Sequence, residues 1–351
     1  MTALDRIRDE ISRTGPIPFD RFMEIALYDA EHGYFTSGRL RSDRAGDFLT
    51  SPEVSPLFGE TIARFVDAER ALIGSPFTLV EAGAGSGSLV AALLGALHNA
   101  PDRVVAVEVS AAARTALAAR VPAVEVVDSL EDVGEVRGVI VANELLDNLP
   151  TAVAVRSGPG WMERVVSDGP DGLGYRLAEA RPEVADWADR HAGPVDEGAV
   201  VEVQLAAGEW VRTALERLDA GALLAFDYGD TAEGLASRRT AGTIRTYRGH
   251  HLGPDPLAEP GGTDITLDVD FGALLSVAVE AGAEARVVRQ DEFLAAWGLG
   301  ERLDRLRAEE REAARAGDAM RRLALRSDRT DGETLLHPRG LGDFRVLVAR
   351  R

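Results

Sequence analysis

Six carboxylates in this 351-residue chain stand at or just past the ends of short apolar runs. They are Glu81, Glu108, Asp128, Glu144, Asp147 and Asp227. Carboxylates so placed can hold a cation, accept hydroxyl or N–H donors, or take up a proton. Which of these they do depends on the elements that carry them.

The clearest element is Thr78–Leu89, where an apolar run ends at Glu81 and is followed by Gly83, Gly85 and Gly87. An Ala/Leu-rich stretch, Leu89–Leu97, then takes up helical spacing. This is a strand, a tight turn and a helix, the site of a nucleotide-type cofactor in an open parallel sheet. A dinucleotide turn prefers G-x-G-x-x-G, with a pyrophosphate on the helix N-terminus. Here the order is E-x-G-x-G-x-G, and Glu81 would repel a pyrophosphate. It suits a cofactor with a cationic centre and no phosphate, which describes S-adenosylmethionine. The expected cofactor-binding residues are therefore Glu81, Gly83, Gly85 and Gly87. Glu108, about twenty residues beyond the last glycine and at the tip of the next run, is placed to hold a ribose diol. Ser110 serves better as cap of the following helix. Asp128 and Ser129, after a third run, are expected at the adenine edge.

A further buried run, Gly138–Ala142, leads into Asn143-Glu144-Leu145-Leu146-Asp147-Asn148-Leu149-Pro150. Strand C-termini in such sheets face the reaction crevice. Two carboxylates three apart on one turn share a face and can clamp a cationic group. Asn143, Glu144 and Asp147 are thus the catalytic candidates, with Asp227 behind them. Helix capping is the competing reading, and it accounts for any one of these residues more easily than for all three.

The elements alternate as in a doubly wound α/β fold. Helices at residues 2–13, 20–28 and 56–72 frame a long polar loop at 36–53. Residues 151–198, with strands at 152–156 and 161–166, read as an inserted antiparallel β segment. Residues 230–267 read as a polar loop, and 301–325 as one long charged helix. Antiparallel-looking strands at 283–289 and 341–349, the last at a sheet edge, fit a seven-stranded methyltransferase sheet of the class I, Rossmann-like type. The division expected is an N-terminal helical region at 1–75, a cofactor domain at 76–150 and 199–351, and the insertion at 151–198.

The chain has no Cys, and all 39 basic residues are Arg, which excludes disulfide, thiolate and lysine chemistry. A net charge of −19 argues against nucleic acid as partner. Adjacent His250 and His251 lack metal-ligand spacing, so no metal is expected. No apolar leader or membrane-length run is present, so a cytoplasmic protein without membrane insertion is the expectation.

Several blocks together resemble the MidA family of S-adenosylmethionine-dependent methyltransferases. They are Phe22–Asp29 with Gly33-Tyr34-Phe35, Gly46–Glu53 with Leu57-Phe58-Gly59-Glu60, the glycine turn, Asn143–Pro150, Asp227-Tyr228-Gly229, Tyr247–His250, and Asp264-Ile265-Thr266 with Val269-Asp270-Phe271. The chain departs from the family pattern at Ala84, Ser86, Pro56 and Leu267-Asp268. The resemblance implies methylation of a protein arginine and a protein substrate such as a respiratory complex subunit; a homodimer is a separate expectation for the assembly. It also implies that Gly46, Asp47 and Thr50 lie over the cofactor as part of a lid. A cofactor-binding assembly factor and a small-molecule methyltransferase are the other readings.

Overall fold

The computed structural model describes residues 2–38, 51–238, 240–249 and 251–351. Gly46, Asp47 and Thr50 of the expected lid, and His250, lie outside the described residues.

A seven-stranded sheet forms the centre of the protein. Its strands in chain order are β1 (Thr78–Ala82), β2 (Arg103–Val107), β3 (Glu125–Val127), β4 (Val136–Asn143), β5 (Leu218–Asp227), β6 (Glu284–Arg289) and β7 (Arg345–Arg350). They lie in the order β6-β7-β5-β4-β1-β2-β3. The continuous apolar runs of the middle strands are buried on both faces. Val139, Ile140 and Val141 of β4 are each fully buried, which favours folding by about 1.5–3 kcal/mol per side chain.

Register places the site. Ala82 of β1 pairs with Val107 of β2 and Ala142 of β4, Val107 pairs with Val127, and Asn143 pairs with Phe226 of β5. The strands therefore end at one level. Glu108, Asp128, Glu144 and Asp227 all fall along that single edge. The chain runs from β1 out to β2 and β3 on one side and returns through β4 on the other, which opens a crevice between β1 and β4.

Helices cover both faces: α1 (Ala3–Thr14), α2 (Phe19–Tyr28), α3 (Leu57–Ile73), α4 (Ser88–Ala96), α5 (Ala111–Arg120), α6 (Leu205–Arg217), α7 (Phe271–Glu280), α8 (Leu299–Arg315) and α9 (Ala319–Leu335). A second, five-stranded antiparallel sheet is built on Ala152–Ser157 and Gly160–Gly169, and it recruits Ile17–Pro18, Gly172–Glu179 and Val200–Val203. Phe19, Phe22, Met23 and Leu27 of α2 pack with Val153, Val166 and Val200 of this sheet in one apolar cluster.

Four expectations need correction. The last strand is interior, because β7 runs antiparallel between β5 and β6. It alone is reversed, so β6 runs with the parallel strands. The long charged helix is two helices: Gly317 takes φ 74° and Asp318 caps α9 by accepting from the Arg321 N–H at 3.0 Å. The polar passage 230–267 contains a three-stranded ladder, in which Arg245–Arg248 pairs with His251–Leu252 and Asp264–Thr266. The strand Gly172–Glu179 and the helix Pro182–His191 went unread in the insertion. The strand is glycine-rich and half exposed, so no apolar alternation marks it.

Candidate active site

A cavity of about 470 Å³ opens over the crevice, walled by the ends of β1, β2 and β4, the Ser129–Glu131 corner, α6, and Tyr28 and Phe35 from the N-terminal region. Seven carboxylates line it: Glu53, Glu81, Glu108, Asp128, Glu131, Glu144 and Glu209. Among the described residues no basic side chain does so.

The glycine turn has three distinct parts. Gly83, Gly85 and Gly87 take φ of 68°, 53° and 77°, the left-handed region that disfavours a side chain. Gly83 and Gly85 border the cavity and leave the approach over the turn open. Gly87 does not; it begins α4 and packs on Leu117, whose Cγ a Cβ would meet at 3.2 Å. Its place is against α5 and not on the cavity wall. Ala84 packs against Ala106 and Leu117 and, like Ser86, also borders the cavity, so both departures from the family pattern within the turn lie at the site.

Glu81 is buried and accepts the Val90 N–H at 2.8 Å, so it caps α4 from the preceding strand. Burial pushes its carboxyl up to about 8, against that hydrogen bond and with a smaller contribution from Glu108. Glu108 accepts the Gly85 N–H at 2.8 Å on one oxygen and the Ser110 N–H at 2.7 Å on the other. Each oxygen keeps a second lone pair, which suits two neighbouring hydroxyls. Burial also raises the Glu108 carboxyl. Asp128 sits at the rim, largely exposed, and pairs with Arg114. The Ser129 hydroxyl donates to Asp132 at 2.9 Å.

The β4 end is held by main-chain and side-chain groups together. Glu144 takes φ 51°, the one non-glycine residue with positive φ among the described residues. Such a backbone costs about 1–3 kcal/mol and persists only where its surroundings impose it. Here the Glu144 N–H donates to the Phe226 carbonyl at 2.8 Å. Fully buried Asp227 accepts the N–H groups of Leu146, Asp147 and Tyr228 at 2.9, 3.2 and 2.9 Å. These bonds pin the turn to the end of β5. The Glu144 Oε1 accepts the Ser51 N–H at 3.0 Å and the Asn143 Nδ2 at 3.1 Å, so that among the described residues Oε2 is left for a ligand. Among the described residues the buried Oδ1 of Asn143 has no partner. Burial first, with the nearby Asp147 charge adding, pushes the Glu144 carboxyl up to about 7.

Asp147 does not share that face. The left-handed Glu144 reverses the chain before the short 3-10 turn Leu146–Asn148, so the two carboxylates diverge. Asp147 is buried, borders no part of the cavity, and accepts from the Tyr228 hydroxyl and, at 2.5 Å, from Thr266 Oγ1. The Arg245 guanidinium stacks over Tyr228, 4.7 Å from its ring centre, and bonds Asp268 at 2.7 Å. Burial drives both Asp147 and Asp227 upward.

The α6 wall escaped the sequence reading. Ala206, Glu209, Trp210 and Thr213 line the cavity at helical spacing, and a face combining an acid and an aromatic was the available signal. Tyr28 and Phe35 figured only within a family block.

The glycine turn and the carboxylate edge fit a cationic cofactor bearing a ribose. Comparison with known proteins agrees. A family model described as "Putative S-adenosyl-L-methionine-dependent methyltransferase" matches residues 59–288. The chain is 30% identical over 313 residues to the Drosophila melanogaster protein arginine methyltransferase NDUFAF7 homolog, covering 79% of this chain and 70% of that one. It is 30% identical over 332 residues to human protein arginine methyltransferase NDUFAF7, covering 84% and 73%. Among solved structures, a COG1565 superfamily member from Burkholderia thailandensis, bound to S-adenosyl-homocysteine, superposes with a TM-score of 0.85 at 31% identity, covering 99% of this chain and 92% of that one. The animal relatives are named mitochondrial, which overturns the expectation of a cytoplasmic protein. That expectation rested on the lack of an apolar leader, whereas mitochondrial targeting segments are amphipathic and Arg-rich. Among the described residues no helix is long and apolar enough to cross a membrane. The fold, the cofactor geometry and these matches agree that the chain belongs to the MidA family of S-adenosylmethionine-dependent methyltransferases.

Proposed function

We propose that this methyltransferase acts on an arginine side chain of a protein substrate, with Glu144 as the residue that receives the guanidinium. The observation that carries the reading is the make-up of the cavity: seven acidic side chains line it, Glu81 and Glu144 among them with carboxyls raised by burial to about 8 and about 7, and no basic side chain among the described residues does so. A cationic acceptor is drawn in, and an anionic one is repelled. The relatives named protein arginine methyltransferases support the same acceptor.

Bound S-adenosylmethionine supplies an electrophilic methyl group on a positively charged sulfur. Glu81, Gly83, Gly85 and Glu108 form its cradle, with Asp128 and Ser129 at the rim. Glu144 Oε2 accepts an N–H of the guanidinium. As the attacking nitrogen forms its bond to the methyl carbon and the carbon–sulfur bond breaks, that nitrogen must lose a proton. A carboxylate whose proton affinity is matched to neutral pH is a suitable receiver. Asn143 orients Glu144 through its Nδ2, and Asp147 tunes Glu144 from behind by its charge. Wall residues keep water from the reacting atoms, and alignment supplies much of the acceleration.

The test is transfer of a labelled methyl group from S-adenosylmethionine to an arginine-bearing peptide, followed by hydrolysis and amino-acid analysis. Label in methylarginine supports the reading. Label in another residue, or none in protein that binds the cofactor, overturns it.

A further inference from the structure

The block Tyr28…Gly33-Tyr34-Phe35 has no part in the chemistry above, yet it forms one wall of the cavity. Tyr28 ends α2, and the chain doubles back on it: the Tyr34 N–H donates to Ala26 at 2.9 Å and the Phe35 N–H to Leu27 at 3.0 Å. Gly33 makes the return possible, since a Cβ there would lie 2.6 Å from the Asp29 nitrogen and 2.7 Å from the Leu27 oxygen. The return brings the Tyr28 and Phe35 rings to 5.5 Å, and fully buried Tyr34 braces Phe35 edge-on at 5.1 Å. Both Tyr28 and Phe35 are half-buried and line the cavity. The Tyr28 hydroxyl already donates to the Asn148 carbonyl at 3.2 Å, so it is the ring that remains for a ligand.

Asn148 belongs to the turn that carries Glu144, at the β4 end. The groups suited to a cofactor follow β1, β2 and β3, on the other side of the crevice. The aromatic wall and the Glu144 carboxylate thus border the same end of the cavity. A guanidinium is planar, delocalised and weakly hydrated, and it stacks on aromatic faces while its edge bonds a carboxylate. We infer that the Tyr28–Phe35 pair is the stacking wall of the acceptor site and selects a planar cation over a compact ammonium or a neutral side chain. The inference rests on the arginine reading above.

The experiment uses the full chain with S-adenosyl-homocysteine bound, and the probe peptides acetyl-Gly-Arg-Gly-amide and its lysine and citrulline counterparts. Binding is followed by NMR titration in the wild type and in Tyr28→Phe, Tyr28→Leu and Phe35→Leu. Calorimetry gives the Kd of S-adenosylmethionine and of S-adenosyl-homocysteine for each. The expected result is that the arginine peptide binds the two leucine variants at least five-fold more weakly, while Tyr28→Phe stays within two-fold of wild type. The Kd values of both adenosyl compounds stay unchanged, which also shows that the variants fold. Should one leucine variant fail to bind either compound, the other carries the test. Unchanged peptide affinity in the leucine variants overturns the wall. So does selective weakening of S-adenosylmethionine against S-adenosyl-homocysteine, which would turn the rings toward the sulfonium. A wild-type preference for the lysine peptide, weakened by the same changes, overturns the arginine reading and the selectivity but leaves an aromatic cation wall standing.

Discussion

The two ends of the cavity are built on different principles. At the β1–β2 end the backbone does most of the work: three left-handed glycines shape the turn, and main-chain N–H groups hold both acids, that of Val90 on Glu81 and those of Gly85 and Ser110 on Glu108. At the β4–β5 end, groups brought together from distant segments hold the acids. The Ser51 main-chain N–H and the neighbouring Asn143 amide hold Glu144, and the Tyr228 and Thr266 hydroxyls, 81 and 119 residues away, hold Asp147. The first end is a preformed cradle that tolerates little change in shape. The second is a crowded set of carboxylates whose proton affinities depend on each other, as suits a place where charge must change during the reaction.

The difference can be broken most sharply at Glu144. Glu144→Gln keeps the acceptor oxygen for Ser51 but removes the charge and the proton receiver. Methyl transfer is expected to fall by roughly 10²-fold or more, with the Kd for S-adenosyl-homocysteine within a few-fold of wild type. Labelled-methyl kinetics and calorimetry check the two arms, and a rate near wild type would remove Glu144 from the chemistry. In the wild type, transfer should lose rate as pH falls through about 7, where Glu144 takes up its proton. That inflection should be missing from the residual activity of the variant.

Gly83→Ala attacks the opposite end. It places a side chain at φ 68° and sets a Cβ 3.1 Å from Leu145 Cδ1. Left-handed strain of about 1–2 kcal/mol adds to the lost approach over the turn, so cofactor affinity should drop at least ~10-fold. Calorimetric affinity equal to wild type would show that no ligand lies over the turn.

Glu81 gives a smaller effect with a definite sign. Its carboxyl is raised from 4.5 to about 8 in the folded chain, so between those values the folded state binds the proton and the unfolded state does not. Stability contributed by this group is full below about 4.5 and is lost as pH rises toward 8. Glu81→Gln should flatten that part of the fall in Tm between pH 5 and 8 in the cofactor-free protein. Parallel curves for variant and wild type would mean that Glu81 ionises as it does in solvent.

Gly87→Ala is the mildest test, and it separates the glycines. Gly87 meets Leu117 rather than the cavity, so Tm should fall by ~2 °C while cofactor affinity holds. A large loss of affinity instead would return Gly87 to the cradle.

Much of the fold and one end of the site were legible in the sequence. The cradle could be read because its parts are local: strand, acid, glycines and helix occupy twelve consecutive residues, and Glu108 ends the very next strand. The central strands announced themselves as apolar runs with turn residues behind them. The α8–α9 break, the interior place of β7 and the ladder in 230–267 were less legible, because each depends on pairing across the chain or on a short polar segment.

Sequence by itself determined the cofactor class, the central strands of the sheet and the edge along which the acids fall, since period, spacing and glycine placement are properties of neighbouring residues. Tertiary structure alone decided which acids face the ligand. Asp147 is three residues from Glu144, and helical spacing would put them together. The left-handed turn, imposed by Phe226 and Asp227 on a strand more than eighty residues away, sends one into the cavity and the other toward Tyr228. The aromatic wall and the α6 face likewise join the site only through packing, because no short-range rule brings residues 28, 35 and 210 to the end of β4.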